Sequence, residues 1–287
     1  PHAVAQLREL ILDKKPGHTR LQPGEEDFQY DLETILQTAH HMDARRLIDR
    51  YLRYERVLQA KSTWPPLDFD DKRVVEIGCG PLLGVGPVAV YLGSTEYVCI
   101  EPRYCPEVLE SDKVWTRFFL PLHQQLDALF NRNIKFDDFA DRVRSRIRIA
   151  PVAIEDCTET AGKADIVFSN GVLQHIADLE RALDRIRHLS HASTRQFHVV
   201  NFTDHVSPPD DPFREIYRMD PAEYFEHDSL LNLKRPSEVG ALFRGVGIPV
   251  SMVPYITDLP AGSCGQVPYW KQFDESDLAV QIAFFVN

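Results

Sequence analysis

Three glycines that follow a short apolar run carry the clearest chemical signal in the sequence. The run begins at Arg73 and continues Val-Val-Glu-Ile, and the residues after it read Gly-Cys-Gly-Pro-Leu-Leu-Gly. Glycines at the carboxyl end of a parallel strand let the backbone approach a ligand closely, and the N-terminus of the helix that follows favours negative charge. The pattern therefore predicts a ligand-binding turn that contains Gly78, Gly80 and Gly84.

Two acidic residues are placed where they could bind the same ligand. Glu76 lies inside the apolar run, where a carboxylate is costly to bury without a partner, and a cationic or amine-bearing ligand would supply one. Glu101 closes the next β-branched run, and an acidic group at that position can accept both hydroxyls of a ribose. A dinucleotide fingerprint requires Gly-x-Gly-x-x-Gly, but Leu83 stands at the third glycine position.

The elements that must position these residues alternate between strands and helices. An amphipathic helix between the fourth and fifth strands has Leu179, Leu183 and Ile186 on one face. Strands that alternate with helices predict an α/β fold with a mostly parallel sheet, covered on both sides. The predicted strands are Arg73–Gly78, Tyr97–Glu101, Ile147–Ile154, Asp165–Ser169, Gln196–Asn201, Ile248–Tyr255 and Leu278–Val286.

Three segments stand outside this alternation. Residues 1–70 are predicted to form an N-terminal helical cap, in which the prolines of the Ser62–Pro66 stretch end a helix. Residues 71–287 form the main domain, with inserts at about 104–146 and 205–247 that are partly helical and rich in aromatic residues. We expect the N-terminal cap and both inserts to cover the carboxyl ends of the strands.

The motifs, taken in order, resemble those of the class I S-adenosylmethionine-dependent methyltransferases. Besides the glycine turn and Glu101, an acidic pair follows the third strand in Ile154-Glu155-Asp156, and the segment Asp165–His175 is similar to the family's strand-four motif. The resemblance implies a Rossmann-like, doubly wound, seven-stranded sheet. This sheet is mostly parallel, its last strand is antiparallel, and helical inserts form a cap.

The resemblance also implies a cofactor, S-adenosylmethionine, and the residues that hold it. It covers residues 72–205 strongly and 245–287 by pattern only, and Leu82 stands where many members have a further glycine. In the family, the Glu-x-Gly-x-Gly motif holds the methionine part, the acidic residue that ends strand two holds the ribose, and the later acidic pair sits beside the adenine. The implied cofactor-binding residues are Glu76, Gly78, Cys79, Gly80, Gly84, Glu101, Pro102, Ile154, Glu155, Asn170 and Gly171.

Three titratable residues near the predicted strand ends are candidates for proton transfer. Methyl transfer from a sulfonium needs an aligned acceptor, and an alcohol or phenol acceptor also needs a base. His175 follows the fourth strand, and Asp204 and His205 close the fifth, where the acceptor should lie. His175 could instead be a structural histidine under the following helix, and Asp204 and His205 could begin a polar loop or cap a helix. Asp210 and Asp211 are typical of a turn, so we predict no metal site.

The predicted acceptor is a small or medium-sized organic molecule or sugar that is methylated on oxygen. The aromatic residues of the inserts suit a partly apolar pocket, and the Asn/Asp-Pro-Pro-Tyr/Phe motif of amino-group methylation is absent, because strand four ends Ser169-Asn-Gly-Val. Two alternatives stay open. An aminopropyl or aminocarboxypropyl transferase on the same fold would use the same nucleoside differently, and a non-catalytic subunit of this fold would bind a partner protein without turnover.

Composition limits the binding partners and the cellular compartment that we expect. The chain has 287 residues and a formal net charge of -11, which argues against nucleic acid as a partner. No apolar stretch approaches the roughly 18–20 residues of a membrane span. The first 20 residues show no signal-peptide pattern, and the five scattered cysteines are typical of a reducing compartment, so we expect a cytoplasmic protein. The sequence begins at Pro1, which leaves open an upstream segment; the oligomeric state, with a homodimer as one option, is open as well.

Overall fold

The computed structural model describes residues 30–61, 66–158, 163–204, 213, 216–227, 231–258 and 267–287. Some sequence-based predictions lie outside these residues. They are the helical character of residues 1–29, most of the Ser62–Pro66 stretch, and the roles considered for His205, Asp210 and Asp211.

A seven-stranded sheet forms the centre of the protein, in the order β3-β2-β1-β4-β5-β7-β6. Strands β1 to β5 pair in parallel, and β7 runs antiparallel to both β5 and β6. This arrangement confirms the predicted Rossmann-like sheet with an antiparallel last strand. The strands are β1 (Arg73–Ile77), β2 (Glu96–Ile100), β3 (Ile147–Ala150), β4 (Ala164–Asn170), β5 (Ser190–Asn201), β6 (Ser251–Thr257) and β7 (Val280–Val286).

Eight helices of at least six residues lie in the described part of the chain. Asp178 caps the sixth, because its side chain accepts a hydrogen bond from the backbone N–H of Arg181 at 3.1 Å. No helix among the described residues is long and apolar enough to span a membrane. The helices are α1 (Leu32–Gln37), α2 (Ala44–Lys61), α3 (Gly86–Tyr91), α4 (Leu120–Phe130), α5 (Phe136–Arg146), α6 (Leu179–Leu189), α7 (Pro221–His227) and α8 (Pro236–Gly245).

Helices cover both faces of the sheet, as the alternate residues of β1 show. Val74 packs in a hydrophobic cluster with residues of α1 to α5, whereas its neighbour Val75 packs in a second cluster with α6 and α8. Burial on both faces explains why the strands are runs of β-branched residues without polar alternation. A third cluster joins the second insert to the segment before β7, and contains Phe213, Ile216, Tyr217, Tyr224, Leu231, Leu233, Trp270 and Leu278.

The structure differs from the sequence-based prediction at several strand ends. Strand β3 ends at Ala150 rather than Ile154, because Pro151 has no N–H with which to continue the ladder. Strand β7 begins at Val280, since the residues Glu275–Leu278 before it form a helical turn. Strand β5 begins earlier than predicted, at Ser190.

The first insert occupies a different place from the one expected. Its helices α4 and α5 pack against α2 and α3, and α5 also contacts β3, so they belong to the helical layer on one face of the sheet. In the second insert, Asn232 and Arg235 instead bond to the chain just after β4 and β5, whereas helix α8 packs against α6, β6 and β7. The segment 267–278, which the sequence analysis did not connect with this region, packs against the second insert.

Candidate active site

The glycine turn after β1 brings backbone close to two other parts of the chain. A Cβ on Gly78 would overlap the side chain of Val172, and a Cβ on Gly84 would overlap the carboxyl group of Glu76. Gly80 is different, because a Cβ there would meet no atom within 4 Å. All three glycines have positive φ angles, which a residue with a side chain adopts only at a cost. Two of the predicted glycines therefore allow close packing, and Gly80 faces open space.

Glu76 finds its hydrogen-bond partners within the protein. It is 2% exposed, and its Oε2 accepts hydrogen bonds from the Tyr97 hydroxyl at 2.6 Å and from the Val85 N–H at 3.0 Å. Burial raises the pKa of Glu76 to about 8, although both hydrogen bonds and the charge of Arg50 act in the opposite direction. We expected a cationic ligand to be the partner of this carboxyl group, but Tyr97 and Val85 supply its partners within the fold. With this pKa, the carboxyl group is mostly protonated at neutral pH.

Cys79 lies between the two glycines that begin the turn, and its side chain is buried. A hydrogen bond with the thiol of Cys99, together with burial, raises the pKa of Cys79 well above its ordinary value. Cys79 is accordingly an un-ionised thiol that packs beneath the turn.

Glu101 connects the end of β2 to the glycine turn. Its Oε2 accepts a hydrogen bond from the N–H of Gly80 at 2.8 Å, and its Oε1 accepts one from the N–H of Arg103 at 3.1 Å. A carboxylate has about four acceptor sites, so each oxygen keeps one for a further donor. Two acceptors held side by side match the two hydroxyls of a ribose, and the open space at Gly80 adjoins them.

Tyr30 lies close to Glu101, although it comes from the N-terminal segment. Its N–H donates to the carbonyl oxygen of Arg103 at 3.4 Å. Burial raises the pKa of the Tyr30 hydroxyl, and the negative charge of Glu101 adds to the effect. The start of the described chain therefore covers the end of β2.

The turns after β2 and β3 continue the same edge of the sheet. Pro102 is exposed directly after Glu101, and a 3-10 turn that begins at Ile154 follows β3. Ile154 is buried and Glu155 half-buried, while Asp156 forms an ion pair with Arg181 of α6 at 2.8 Å. Because β1, β2 and β3 are neighbours, the residues expected to hold the cofactor lie along adjacent strand ends.

Asn170 and Gly171 end the neighbouring strand β4. The Oδ1 of Asn170 accepts a hydrogen bond from the Tyr54 hydroxyl at 3.1 Å, which ties helix α2 to this edge. Burial raises the pKa of Tyr54, so the hydroxyl remains a donor. A Cβ on Gly171 would have a single neighbour within 4 Å, the Nε2 of Gln174 at 3.7 Å. Gly171, like Gly80, faces open space at the carboxyl edge.

A buried chain of polar side chains links β4 to β5 just before this edge. The Nε2 of His198 donates to Oε1 of Gln196 at 3.0 Å, so Nδ1 accepts the hydroxyl hydrogen of Ser169 at 2.8 Å. Burial lowers the pKa of His198 to about 3, and the ring is neutral. These bonds fix the two strands that carry Asn170 and Asp204.

The structure places the candidate bases in different surroundings. Asp204 follows β5 and is 2% exposed, whereas His175 lies exposed on the 3-10 turn Leu173–His175 after β4. His205 lies outside the described residues. Within the described ranges, no group of three or more His, Cys, Asp and Glu side chains could hold a metal ion.

Asn232 attaches the second insert to the turn after β4. Its Nδ2 donates to the carbonyl oxygens of Leu173 at 2.8 Å and Ile176 at 2.9 Å, and its backbone N–H donates to the carbonyl oxygen of Gln174 at 2.8 Å. The insert therefore holds the turn that carries Gln174 and His175.

Arg235 attaches the same insert to β5 and to the segment before β7. It is 1% exposed; Nη1 donates to the carbonyl oxygen of Phe202 at 3.2 Å, and Nη2 lies 3.0 to 3.3 Å from three carbonyl oxygens of residues 277–280. The guanidinium also lies within 5.4 Å of the ring centroids of Phe202, Phe213 and Tyr217. The charge is thus stabilised by carbonyl dipoles and aromatic faces.

The comparisons with known proteins agree with this geometry. The sequence matches the methyltransferase-domain family over residues 39–247, which is more than half of the chain. The chain therefore belongs to this family, and its resemblance to the class I S-adenosylmethionine-dependent methyltransferases is confirmed. Its cofactor is S-adenosylmethionine. The family does not favour the aminopropyl transferase or non-catalytic alternatives.

Solved structures resemble the chain at low sequence identity. A Listeria monocytogenes protein described as an S-adenosylmethionine-dependent methyltransferase is 12% identical, with 80% of this chain and 96% of that one covered and a TM-score of 0.45. A chain from the Haloferax volcanii complex of a methyltransferase with the activator Trm112 is 12% identical, with 90% and 97% covered and a TM-score of 0.48. An S-adenosylmethionine-dependent methyltransferase from Mesorhizobium loti is 10% identical, with 80% and 95% covered and a TM-score of 0.45. No curated protein matches the sequence.

Proposed function

We propose that the protein transfers a methyl group from S-adenosylmethionine to a hydroxyl oxygen of a small or medium-sized organic acceptor, such as a sugar or a specialised metabolite. The observation that carries this proposal is the position of Asp204. Its carboxyl group is buried directly after β5, on the same edge of the sheet as the open spaces at Gly80 and Gly171. A hydroxyl acceptor must lose its proton during attack, and a carboxylate on that edge suits the role of base.

The proposed cofactor contacts follow the strand ends in order. S-adenosylmethionine supplies a methyl group that its sulfonium already activates. Glu101 accepts the two ribose hydroxyls with the acceptor sites that Gly80 and Arg103 leave unused. Gly78, Cys79, Gly80 and Gly84 form the turn that admits the methionine part, with Glu76 beneath it.

The remaining proposed contacts lie on either side of this turn. Pro102, Ile154 and Glu155 border the adenine, and Asn170 and Gly171 border the methyl group. The hydrogen bond from Tyr54 keeps Asn170 in one orientation, which supports its use as a positioning group.

In this proposal Asp204 receives the proton of the acceptor hydroxyl. His175 and His205 are the other candidates that the sequence offers, one exposed after β4 and one next to Asp204 in the chain. The buried position of Asp204 favours it, because a base that is shielded from water reacts with the bound acceptor in preference to solvent.

The second insert is proposed to enclose the acceptor. Asn232 and Arg235 hold it against the ends of β4 and β5, and the partly buried apolar side chains packed against its aromatic cluster supply apolar surface. Residues 205–212, between Asp204 and the first residue of this cluster, lie outside the described part of the chain. Methylation of oxygen is preferred to that of amino groups because the segment Ser169–Val172 lacks the prolines and the aromatic residue typical of amino-group methylation.

The proposal is tested in two stages. Calorimetric titration with S-adenosylmethionine and S-adenosylhomocysteine first measures cofactor binding. Turnover with a panel of sugars, phenols and alcohols is then followed by release of S-adenosylhomocysteine. The cofactor carries a ¹³C-labelled methyl group, so that the carbon chemical shift of the product identifies the methylated atom. A label found on nitrogen, carbon or sulfur would refute O-methylation.

The base is tested at saturating cofactor with Asp204→Asn, and Asp184→Asn, whose side chain is half-exposed on the solvent side of α6, is the matched control. We expect Asp204→Asn to lower kcat by about 100-fold or more, because a general base contributes on this order. The affinity for S-adenosylhomocysteine should stay unchanged, and the control should behave as the wild type. If Asp204→Asn turns over normally while His175→Ala does not, the base is His175.

A further inference from the structure

The side-chain carbonyl oxygen of Gln174 is buried without a hydrogen bond. The residue is 5% exposed, and its Oε1 has no partner. An unsatisfied buried polar group costs about 1–3 kcal/mol, and folded proteins keep few of them. This residue belongs to the strand-four motif, but none of the cofactor contacts proposed above uses it.

The amide borders the open space at the carboxyl edge of the sheet. It is the one group within 4 Å of a Cβ built on Gly171, with Nε2 at 3.7 Å. The adjacent strand end carries Gly80, where a built Cβ has no neighbour at all. The two glycines thus border one edge of the sheet, and Gln174 stands at the Gly171 side, on a turn that contacts β5.

The backbone of this turn is held in place. Asn232 donates hydrogen bonds to the carbonyl oxygens of Leu173, Gln174 and Ile176, so one residue of the second insert holds this turn at three points of its backbone. Because the backbone that carries the amide is already held in place, little backbone conformational entropy is lost when a ligand binds to it, which favours a binding role for Gln174.

We infer that Gln174 binds the hydroxyl group that receives the methyl group. When the acceptor binds, its single hydroxyl hydrogen is donated to Oε1, and Nε2 donates to the hydroxyl oxygen. The O–H then turns from Oε1 to Asp204, which takes the proton during the attack on the methyl group. The methyl ether that results keeps the acceptor but lacks the donor, so Oε1 loses its partner when the product forms. Gln174 therefore distinguishes substrate from product as well as positioning the substrate. The inference rests on the proposed O-methylation.

The test uses the amide itself as the reporter. The side-chain ¹H–¹⁵N signals of Gln174, assigned by their absence in Gln174→Glu, are followed in protein saturated with S-adenosylhomocysteine. The probes are catechol and methyl α-D-glucopyranoside, and 1,2-dimethoxybenzene is the matched control that cannot donate a hydrogen bond. We expect at least one hydroxyl probe to shift these signals and the control to leave them in place.

Two outcomes would overturn the inference. Signals that move when S-adenosylhomocysteine is added, and that no hydroxyl probe moves further, would make Gln174 a cofactor contact. Signals that neither the cofactor product nor any probe moves would make it a packing residue.

A second measurement uses Gln174→Met, which keeps the volume and removes the polar heads, with Gln124→Met on the exposed side of α4 as its control. Gln174→Met should raise the Kd of the hydroxyl probe at least tenfold and leave that of S-adenosylhomocysteine within twofold. If the variant methylates a hydroxyl acceptor with wild-type KM, this inference fails while O-methylation stands. If the probe binds at Gln174 but the label never reaches oxygen, the proposed function fails instead.

Discussion

Replacing Glu76 by Gln should change how the stability of the protein depends on pH. The folded chain keeps a proton on Glu76 up to a pKa of about 8, whereas the unfolded chain releases it near the ordinary value of 4.5. Between these values the folded state binds more protons than the unfolded state, so its stability falls as the pH rises. At pH 7 the cost relative to acid pH is about 3 kcal/mol, since each pKa unit corresponds to about 1.4 kcal/mol.

Glu76→Gln cannot ionise, and its carbonyl oxygen can accept the hydrogen bonds from Tyr97 and Val85. The free energy of unfolding, measured in urea from pH 5 to pH 7.5, should therefore fall less steeply in the variant. The difference between variant and wild type should grow by about 3 kcal/mol over this range. Glu110→Gln, an exposed glutamate, should follow the wild-type curve.

The reasoning would be refuted if the curves of Glu76→Gln and wild type ran parallel between pH 5 and pH 7.5. Glu76 would then ionise as an exposed carboxyl group does, and its burial under the turn could not be as the structure has it. Other titrating groups do not confuse this comparison, because they are present in both proteins and cancel in the difference.

Three further expectations concern single side chains. Glu101→Ala should weaken binding of S-adenosylhomocysteine by about 1–3 kcal/mol in calorimetry, because the ribose hydroxyls lose their acceptor, and unchanged affinity would remove Glu101 from the site. Arg235→Met should lower the free energy of unfolding in urea by about 3–5 kcal/mol, since buried carbonyl groups lose their donor; a loss below about 1 kcal/mol would contradict this role. Wild type should lose stability relative to His198→Gln as the pH falls from 6.5 towards 3, because unfolded His198 takes up a proton that the folded ring does not bind; parallel stability curves would count against a buried neutral ring.

The sheet could be predicted from sequence because its signal is local. Buried β-branched runs separated by helical segments are compatible with few folds other than a mostly parallel α/β sheet. The glycine turn identifies the strand before it as the first of the sheet. The positions of Glu76 within β1 and of Glu101 directly after β2 followed from the same pattern. Strand limits were less accurate where a single residue such as Pro151 decides the end.

The partners of these residues could not be predicted, since they come from distant parts of the chain. Tyr97 reaches Glu76 because β1 and β2 pair with Val74 opposite Tyr97, a register that neither strand specifies alone. Tyr54 reaches Asn170 from a helix whose tyrosines are typical of a core stripe. A buried arginine that donates to main-chain oxygens has no local sequence signal, because every residue type carries such an oxygen, and Arg235 was therefore missed.

The anchors of the second insert have a consequence for protein engineering. The bonds that Asn232 and Arg235 donate to the strand ends are received by main-chain oxygens, which every residue type possesses. These hydrogen bonds consequently do not depend on which amino acids occupy the accepting positions. A splice placed at residues 231–235 should let the segments that we propose enclose the acceptor be exchanged between relatives, while the attachment geometry is inherited unchanged.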